Sequence, residues 1–177
     1  MLLAGGGALA AASGRARGQG EDADVAIAAL LATAELLAID FYGRAIELGG
    51  FGADDLVYLE SARENEEDHV ARLAEVLGAA APRGVSARYA PGTFAARAAV
   101  AAAGAALEEA LLGAYLGAVG SLRSTELKGI AALIGANEAQ HLAALERLAA
   151  GALVASPSLP RPLSAEDALA ALGPYTA

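Results

Sequence analysis

The sequence predicts an all-α protein, a four-helix bundle with one long crossover between its second and third helices. Three observations carry that prediction. Ala and Leu dominate the 177 residues while aromatic side chains make up only 5%; Ala and Leu are strong helix formers, whereas strands draw on β-branched and aromatic residues. Glycine and proline gather at a few positions and divide the chain into four long segments. Two of the breaks suit tight turns, and the third, from Pro82 to Gly92, suits a connection that runs the length of a bundle.

The elements follow in order. Leu2 to Ala12 is a short apolar run, and Ser13 to Gly20 is rich in Ser, Gly, Arg and Gln. Residues 1–20 read either as a disordered Gly/Ala tail or as the hydrophobic part of an export signal, with small residues at a cleavage point near Ala12. The second reading places the protein outside the cytoplasm and the first inside it. Asp22 or Asp24 can cap a first helix that reaches about Leu48, where Gly49, Gly50 and Gly52 break it. Asp54 opens a second helix, through Leu77 to about Ala80. The next dozen or so residues, extended at ~3.3 Å each, cover about 40 Å, roughly a helix length, so the crossover can return to the far end of the bundle. Thr93 caps a third helix to about Val119, and Gly120 and Ser121 begin a tight turn. Ser124 or Thr125 caps a fourth helix that ends near Ala150, before Gly151. Residues 21–151 thus make the bundle. Residues 152–177 form a Pro/Ser-rich tail in which Ser164, with Glu166 and Asp167 behind it, starts one short final helix.

Composition removes several function classes. The formal net charge is -9 and the pI about 4.6, and no block of Lys and Arg stands out, so a nucleic-acid surface is not expected. There is no Cys, hence no disulfide framework and no thiolate site; any metal must sit on Glu, Asp and His. The mean hydropathy of +0.44 owes its sign to Ala. Charges interrupt the apolar stretches, as where Ala98–Leu107 runs into Glu108 and Glu109, short of the ~20 residues a span requires, so no membrane-spanning segment is expected. The Ala- and Gly-rich helix surface would allow close packing between subunits of a homo-oligomer.

The chemistry lies in a repeated pattern. The two histidines, His69 and His141, each have a Glu three residues before them, Glu66 and Glu138. Positions i and i+3 share a helix face, so each pair can present a carboxylate and an imidazole to one point. One such pair alone would more readily be a solvated polar pair; two of them, each opposite a Glu in apolar surroundings, point to a metal. Those other carboxylates are Glu35, set in Ala28–Ala38, and Glu108, set among alanines. A Glu is costly to bury unless it is paired or metal-bound. Tyr42 and Tyr115 follow Glu35 and Glu108 by seven residues, on the same helix face. Glu35 to Glu108 and Tyr42 to Tyr115 both span 73 residues, and Glu66 to Glu138 and His69 to His141 both span 72. The chain therefore reads as two copies of one pattern, and this register selects Glu108 over Glu109. Each carboxylate lies about 18–20 Å along its helix from the neighbouring turn, so all four fall at one level of an antiparallel bundle. Four carboxylates balance two divalent ions, and mixed O and N donors suit Fe or Mn. A Glu from each of two helices with Glu-x-x-His from each of the other two is the known ligand set of di-iron and di-manganese bundles.

At these residues the chain resembles the ferritin-like superfamily, in particular the bacterial ferritin-like domain proteins related to desiccation-associated proteins. The resemblance rests on residues 34–42 (AELLAIDFY), Glu66–His69 (EEDH), Glu108 through residues 114–118 (AYLGA), and residues 137–141 (NEAQH), and covers roughly residues 22–150. It implies that Glu35 and His69 hold one metal, Glu108 and His141 the other, and that Glu66 and Glu138 bridge. Two Fe ions, or Mn in their place, are the implied cofactors, and ferrous iron, O2 or peroxide the implied reactants in stress protection. Tyr42 and Tyr115 would hold carboxylates or pass electrons; as ordinary core aromatics they need only a hydroxyl partner. The chain departs from cage-forming ferritins in lacking a mineral-nucleating acidic cluster, and from rubrerythrins in lacking the cysteines of an Fe–S centre. The alternative to a redox protein is a helical stress or structural protein whose metal only stabilises the fold.

Overall fold

The computed structural model describes the backbone of residues 6–152, 154 and 157–176, and the side chains among these from Glu21 onward. The helices are α1 (Gly6–Leu48), α2 (Ala53–Leu77), α3 (Arg97–Ser121), α4 (Thr125–Ala150) and α5 (Ala165–Leu172), with 3-10 turns at Gly78–Ala80 and Gly173–Tyr175. Among the described residues there is no strand, only one isolated bridge between Ala87 and Thr176. Of the two readings of residues 1–20, the part on residues 1–5 lies outside the described residues, and from Gly6 the backbone is already helical.

Two antiparallel hairpins, α1–α2 and α3–α4, pack on each other, with α1 against α3 and α2 against α4. Chain direction follows from the packing. The start of the buried part of α1 (Ala28, Leu31), the end of α2 (Leu73, Leu77), the end of α3 (Ala114, Ala118) and the start of α4 (Leu127, Ile130) share one apolar cluster. Phe41 and Ala45, Leu59, Val100 and Leu145 share the other, at the opposite end. α2 and α3 therefore run in the same direction, and the segment between them must travel the bundle's whole length. It does so along α1: the Tyr89 hydroxyl donates to the Leu37 carbonyl at 3.2 Å, its ring meets Phe41 and Phe94, and Arg97 reaches the Gly50 carbonyl at the far turn. This is the long crossover the sequence predicts.

The turns explain where the boundaries differ from expectation. Gly49 and Gly50 take positive φ of 70° and 74°, a region that L side chains avoid, and so end α1. α2 starts after Gly52, without a side-chain cap, and Asp54 and Asp55 occupy its first turn, where acids suit the helix dipole. Thr93 does not cap α3: its hydroxyl donates to the Ala90 carbonyl, inside a turn, and the helix begins four residues later at Arg97. Asp24 does not begin α1 but lies within it. Its carboxylate accepts from the backbone N–H groups of Arg123 and Ser124 at 2.7–3.1 Å, tying α1 to the α3–α4 turn. Ser124 caps α4 and Ser164 caps α5, as expected, each accepting from a backbone N–H three residues on.

Two helical segments, Glu21–Leu48 and Arg97–Ser121, are long and apolar enough to cross a membrane by length and composition, so their charges do not interrupt them as the sequence reading expected. Half of one apolar window and 61% of the other are nevertheless buried inside the bundle, as in core helices. Glu35 and Glu108, each near the middle of one segment, are fully buried, whereas Glu109 beside the latter is exposed.

The C-terminal residues are part of the fold. The Leu163 N–H donates to the Gly113 carbonyl at 2.8 Å, Ala168 and Leu172 are buried, and Arg88 N–H donates to the Tyr175 carbonyl. α3 admits this strap because it offers glycines: a Cβ on Gly117 would stand 1.6 Å from the Leu163 carbonyl oxygen, a backbone atom that cannot rotate away. Gly117→Ala is expected to dislodge the strap and α5, at about 1–3 kcal/mol, with a lower melting temperature and faster proteolytic loss of residues beyond Ala150. An unchanged melt and digestion pattern would show that the strap does not need this approach.

Candidate metal centre

Glu35, Glu66, Glu108 and Glu138 are fully buried, one on each bundle helix, and His69 and His141 are 9% and 2% exposed. Helical spacing puts each of them on the inward stripe: Leu31 and Ala38 flank Glu35, and Leu107 and Leu111 flank Glu108, all of them buried. The six residues lie between the two apolar clusters, as a polar layer across the middle of the core.

Their distances group them further. His69 Nδ1 lies 2.9 Å from Glu66 Oε2, 3.1 Å from Glu138 Oε1 and 3.4 Å from Glu35 Oε2. One ligand atom from each of these four residues can be chosen so that all lie within 4.8 Å of one another. Glu108 and His141 stand outside that tight group but beside it: His141 Nε2 is 3.5 Å from Glu66 Oε1, and the charges of Glu138 and Glu66 act on Glu108. The Tyr42 hydroxyl donates to Glu108 Oε1 at 2.5 Å, and the Tyr115 hydroxyl donates to Glu35 Oε1. Each tyrosine thus holds the carboxylate contributed by the other half of the sequence, and both rings are fully buried.

The donor atoms fit a cation. Glu35 Oε2, Glu66 Oε1, Glu108 Oε2, both oxygens of Glu138 and Nε2 of His141 are buried without a hydrogen-bond partner. An orphaned buried acceptor costs free energy, and here acceptors on all four helices share one layer. A divalent ion satisfies several lone pairs at once, and O and N donors of this kind match Fe and Mn.

Electrostatics give the same account. Burial, then the neighbouring carboxylates, push the Glu66 and Glu108 carboxyls well above the usual range, and Glu138 is raised by burial and by Glu35. Burial pulls His69 down, but the carboxylates of Glu138, Glu35 and Glu66 around its Nδ1 outweigh it and raise the imidazole to about 12. Burial and then the charge of His69 lower His141 to about 4. Without metal, burial and mutual repulsion therefore favour protons on the carboxyls.

Tyr58 is a contact the sequence reading missed. Its hydroxyl lies 3.2 Å from His141 Nδ1 and 3.3 Å from the His141 carbonyl oxygen, and its ring lines an open groove with Asp54, Arg97 and Arg147. The signal was present: Tyr58, Ala62, Glu66 and His69 follow at intervals of four, four and three, on one face of α2. Symmetry hid it, because Tyr58 has no counterpart; the position 72 residues on is Ile130.

The sequence profile of the ferritin-like domain family matches residues 22–151, which include all six Glu and His positions. A comparison with curated proteins finds no match.

Glu66, Glu108, Glu138 and His69 bind their protons more tightly folded than unfolded, so stability falls as pH rises above their unfolded pKa values. His141 has the opposite sign, but only between about 4 and its ordinary 6.5. From about pH 6.5 toward ~9 the metal-free protein is expected to melt at progressively lower temperature. A bound cation such as Mn2+ would replace those protons and flatten the slope. Melts of metal-free and Mn2+-loaded protein across this window check it; a flat metal-free profile would refute the shared-proton layer.

Proposed function

The chain belongs to the ferritin-like domain family, and on that premise we propose that it is a dimetal-carboxylate protein, holding two Fe ions or Mn in their place and oxidising ferrous iron with O2 or peroxide in stress protection. The observation that carries this reading is the set of buried donor atoms on four helices that have no partner among the described residues. On this reading Glu35 and His69 would hold one ion and Glu108 and His141 the other, with Glu66 and Glu138 shared by both. Two adjacent ions supply redox capacity that the side chains themselves lack.

The remaining roles belong to the chain. Tyr42 and Tyr115 orient Glu108 and Glu35 by hydrogen bonds from fully buried hydroxyls. The apolar clusters above and below the layer exclude water, which strengthens each interaction within it. His69 Nδ1 is within 3.4 Å of three carboxylates and would give up its proton when a metal binds there.

Complete burial of the four carboxylates favours a second reading, in which the ions only stiffen the bundle. Elemental analysis of protein purified after growth with Fe and Mn decides whether metal is bound: about two ions per chain are expected, with loss in a Glu66→Ala/His69→Ala double variant. A metal-free wild type that cannot be reconstituted would remove both readings. Turnover of ferrous iron with O2 or peroxide by the loaded protein supports the first; a metal-dependent rise in melting temperature without turnover supports the second.

Glu138→Gln replaces a buried carboxyl that must either hold a proton or stand charged beside Glu35, with His69 Nδ1 3.1 Å from its Oε1. It is expected to raise the melting temperature of the metal-free protein at pH 8 while abolishing two-ion binding, the usual opposition between stability and function at a site. A lower melting temperature in the metal-free variant would mean that the charge stabilises the fold.

A further inference from the structure

The four carboxylates are fully buried, yet one open groove comes within a single side chain of their layer. It lies between the start of α2 and the end of α4, where Asp54, Asp55, Tyr58, Ala144 and Arg147 line it together with Arg97 of α3. About 340 Å³ of its space is open to water, far above the roughly 10–15 Å³ that holds one molecule of it. Tyr58 forms the inner wall: its hydroxyl lies 3.2 Å from His141 Nδ1, and the two rings meet edge to face at 6.2 Å between centroids. On the other side of that imidazole, Nε2 is 3.5 Å from Glu66 Oε1. The other half of the repeat has no such approach, because the matching position is Ile130, buried in an apolar cluster.

We propose that this groove is the port through which a small uncharged oxidant of the hydrogen peroxide class reaches the layer, and that the Tyr58 ring is its door. The charges select the class. Two acids and two bases line the groove, so their formal charges cancel and the groove neither concentrates nor repels ions. Asp54 and Asp55 also lie in the first turn of α2, where the helix N-terminus already complements them. A groove serving ferrous iron would carry an excess of acid. The way Tyr58 is held makes it a door. Tyr42 and Tyr115 are fully buried and donate to carboxylates, Tyr42 at 2.5 Å. Tyr58 is half-buried, and its hydroxyl donates to the His141 carbonyl at 3.3 Å, longer than the ~2.7–2.8 Å of a usual O–H···O bond. A ring latched so weakly, at the edge of the core and beside open space, can turn outward at little cost to packing. Shut, it keeps water from the layer; open, it leads to His141.

What passes the door rests on the two-ion reading, whereas the door itself is a property of the metal-free chain. Diethylpyrocarbonate, a small uncharged reagent, carbethoxylates the imidazoles it can reach, and peptide masses after digestion assign the product to His69 or His141. In the metal-free wild type His141 is expected to react slowly. An open state populated at about 0.1–10% implies that Tyr58→Ala speeds its labelling at least about 10-fold, with the helical content retained. Tyr58→Phe keeps the ring and drops only the latch, so it should fall between the two. Adding Ala144→Leu to Tyr58→Ala refills the groove and should slow His141 again, which a general loosening of the bundle would not allow. Equal labelling in wild type and Tyr58→Ala would overturn the proposal. So would equal labelling in Tyr58→Phe and Tyr58→Ala, or no protection from Ala144→Leu. With Fe2+ bound, Tyr58→Ala should also speed oxidation of the metal by hydrogen peroxide; an unchanged rate would mean that the oxidant enters elsewhere, as beside His69, which is 9% exposed. A wild type that binds no Fe2+ would sink the two-ion reading and the oxidant with it, and the labelling of His141 would still decide whether Tyr58 is a door.

Discussion

Four carboxylates held out of water in one layer are the constraint on which the rest of the molecule turns. Each is fully buried, and most of their oxygens lack a hydrogen-bond partner. Bare negative charges at that density repel, so the layer exists only with protons or cations in it. Everything adjacent serves to hold it: tyrosine hydroxyls donate to Glu35 and Glu108, His69 lies among three carboxylates, and apolar clusters close both ends. A bundle built for stability alone would carry leucines at these positions.

The layer also explains the topology. One carboxylate must come from each helix at the same depth, which antiparallel neighbours meet with matched distances from their turns. The crossover lets α2 and α3 run the same way, so that α1 faces α3 and α2 faces α4, antiparallel in both cases. Its path along α1 is fixed by Tyr89 and by the aromatic contacts of Phe41 and Phe94, at the end of the core away from the α3–α4 turn. At the opposite end, Asp24 pins α1 to that turn through backbone N–H groups. The site thus sits between two anchored ends.

Near-symmetry of sequence does not become symmetry of chemistry. The repeat puts Tyr42 and Tyr115 in matching roles, each holding the carboxylate of the other half. It does not make the histidines equal. His69, amid carboxylates, holds a proton tightly, while His141, buried and repelled by His69, does not. The two halves share a pattern of ligands and differ in what stands behind them.

Much of this was legible in the order of residues. Helical propensity, the glycine breaks and the duplicated spacing of Glu, Tyr and Glu-x-x-His are local or periodic properties, and they brought out the bundle, the crossover and the six residues that the fold gathers in one layer. Contacts between segments distant in sequence were not legible. Asp24 looked like a cap because Asp near a helix start usually is one; its partners lie about a hundred residues away. Thr93 looked like a cap for the same reason and is held in a turn instead. Tyr58 lay on the right face of α2, but only packing against α4 brought it to His141. The C-terminal strap depended on a backbone approach to Gly117 that no periodicity announces. Spacing along a helix is set by bonds and dihedral angles, so the chain itself determines which residues share a face. Which faces then meet, and which side chains stand beside each histidine, is decided by packing between helices, and only the tertiary structure holds that information.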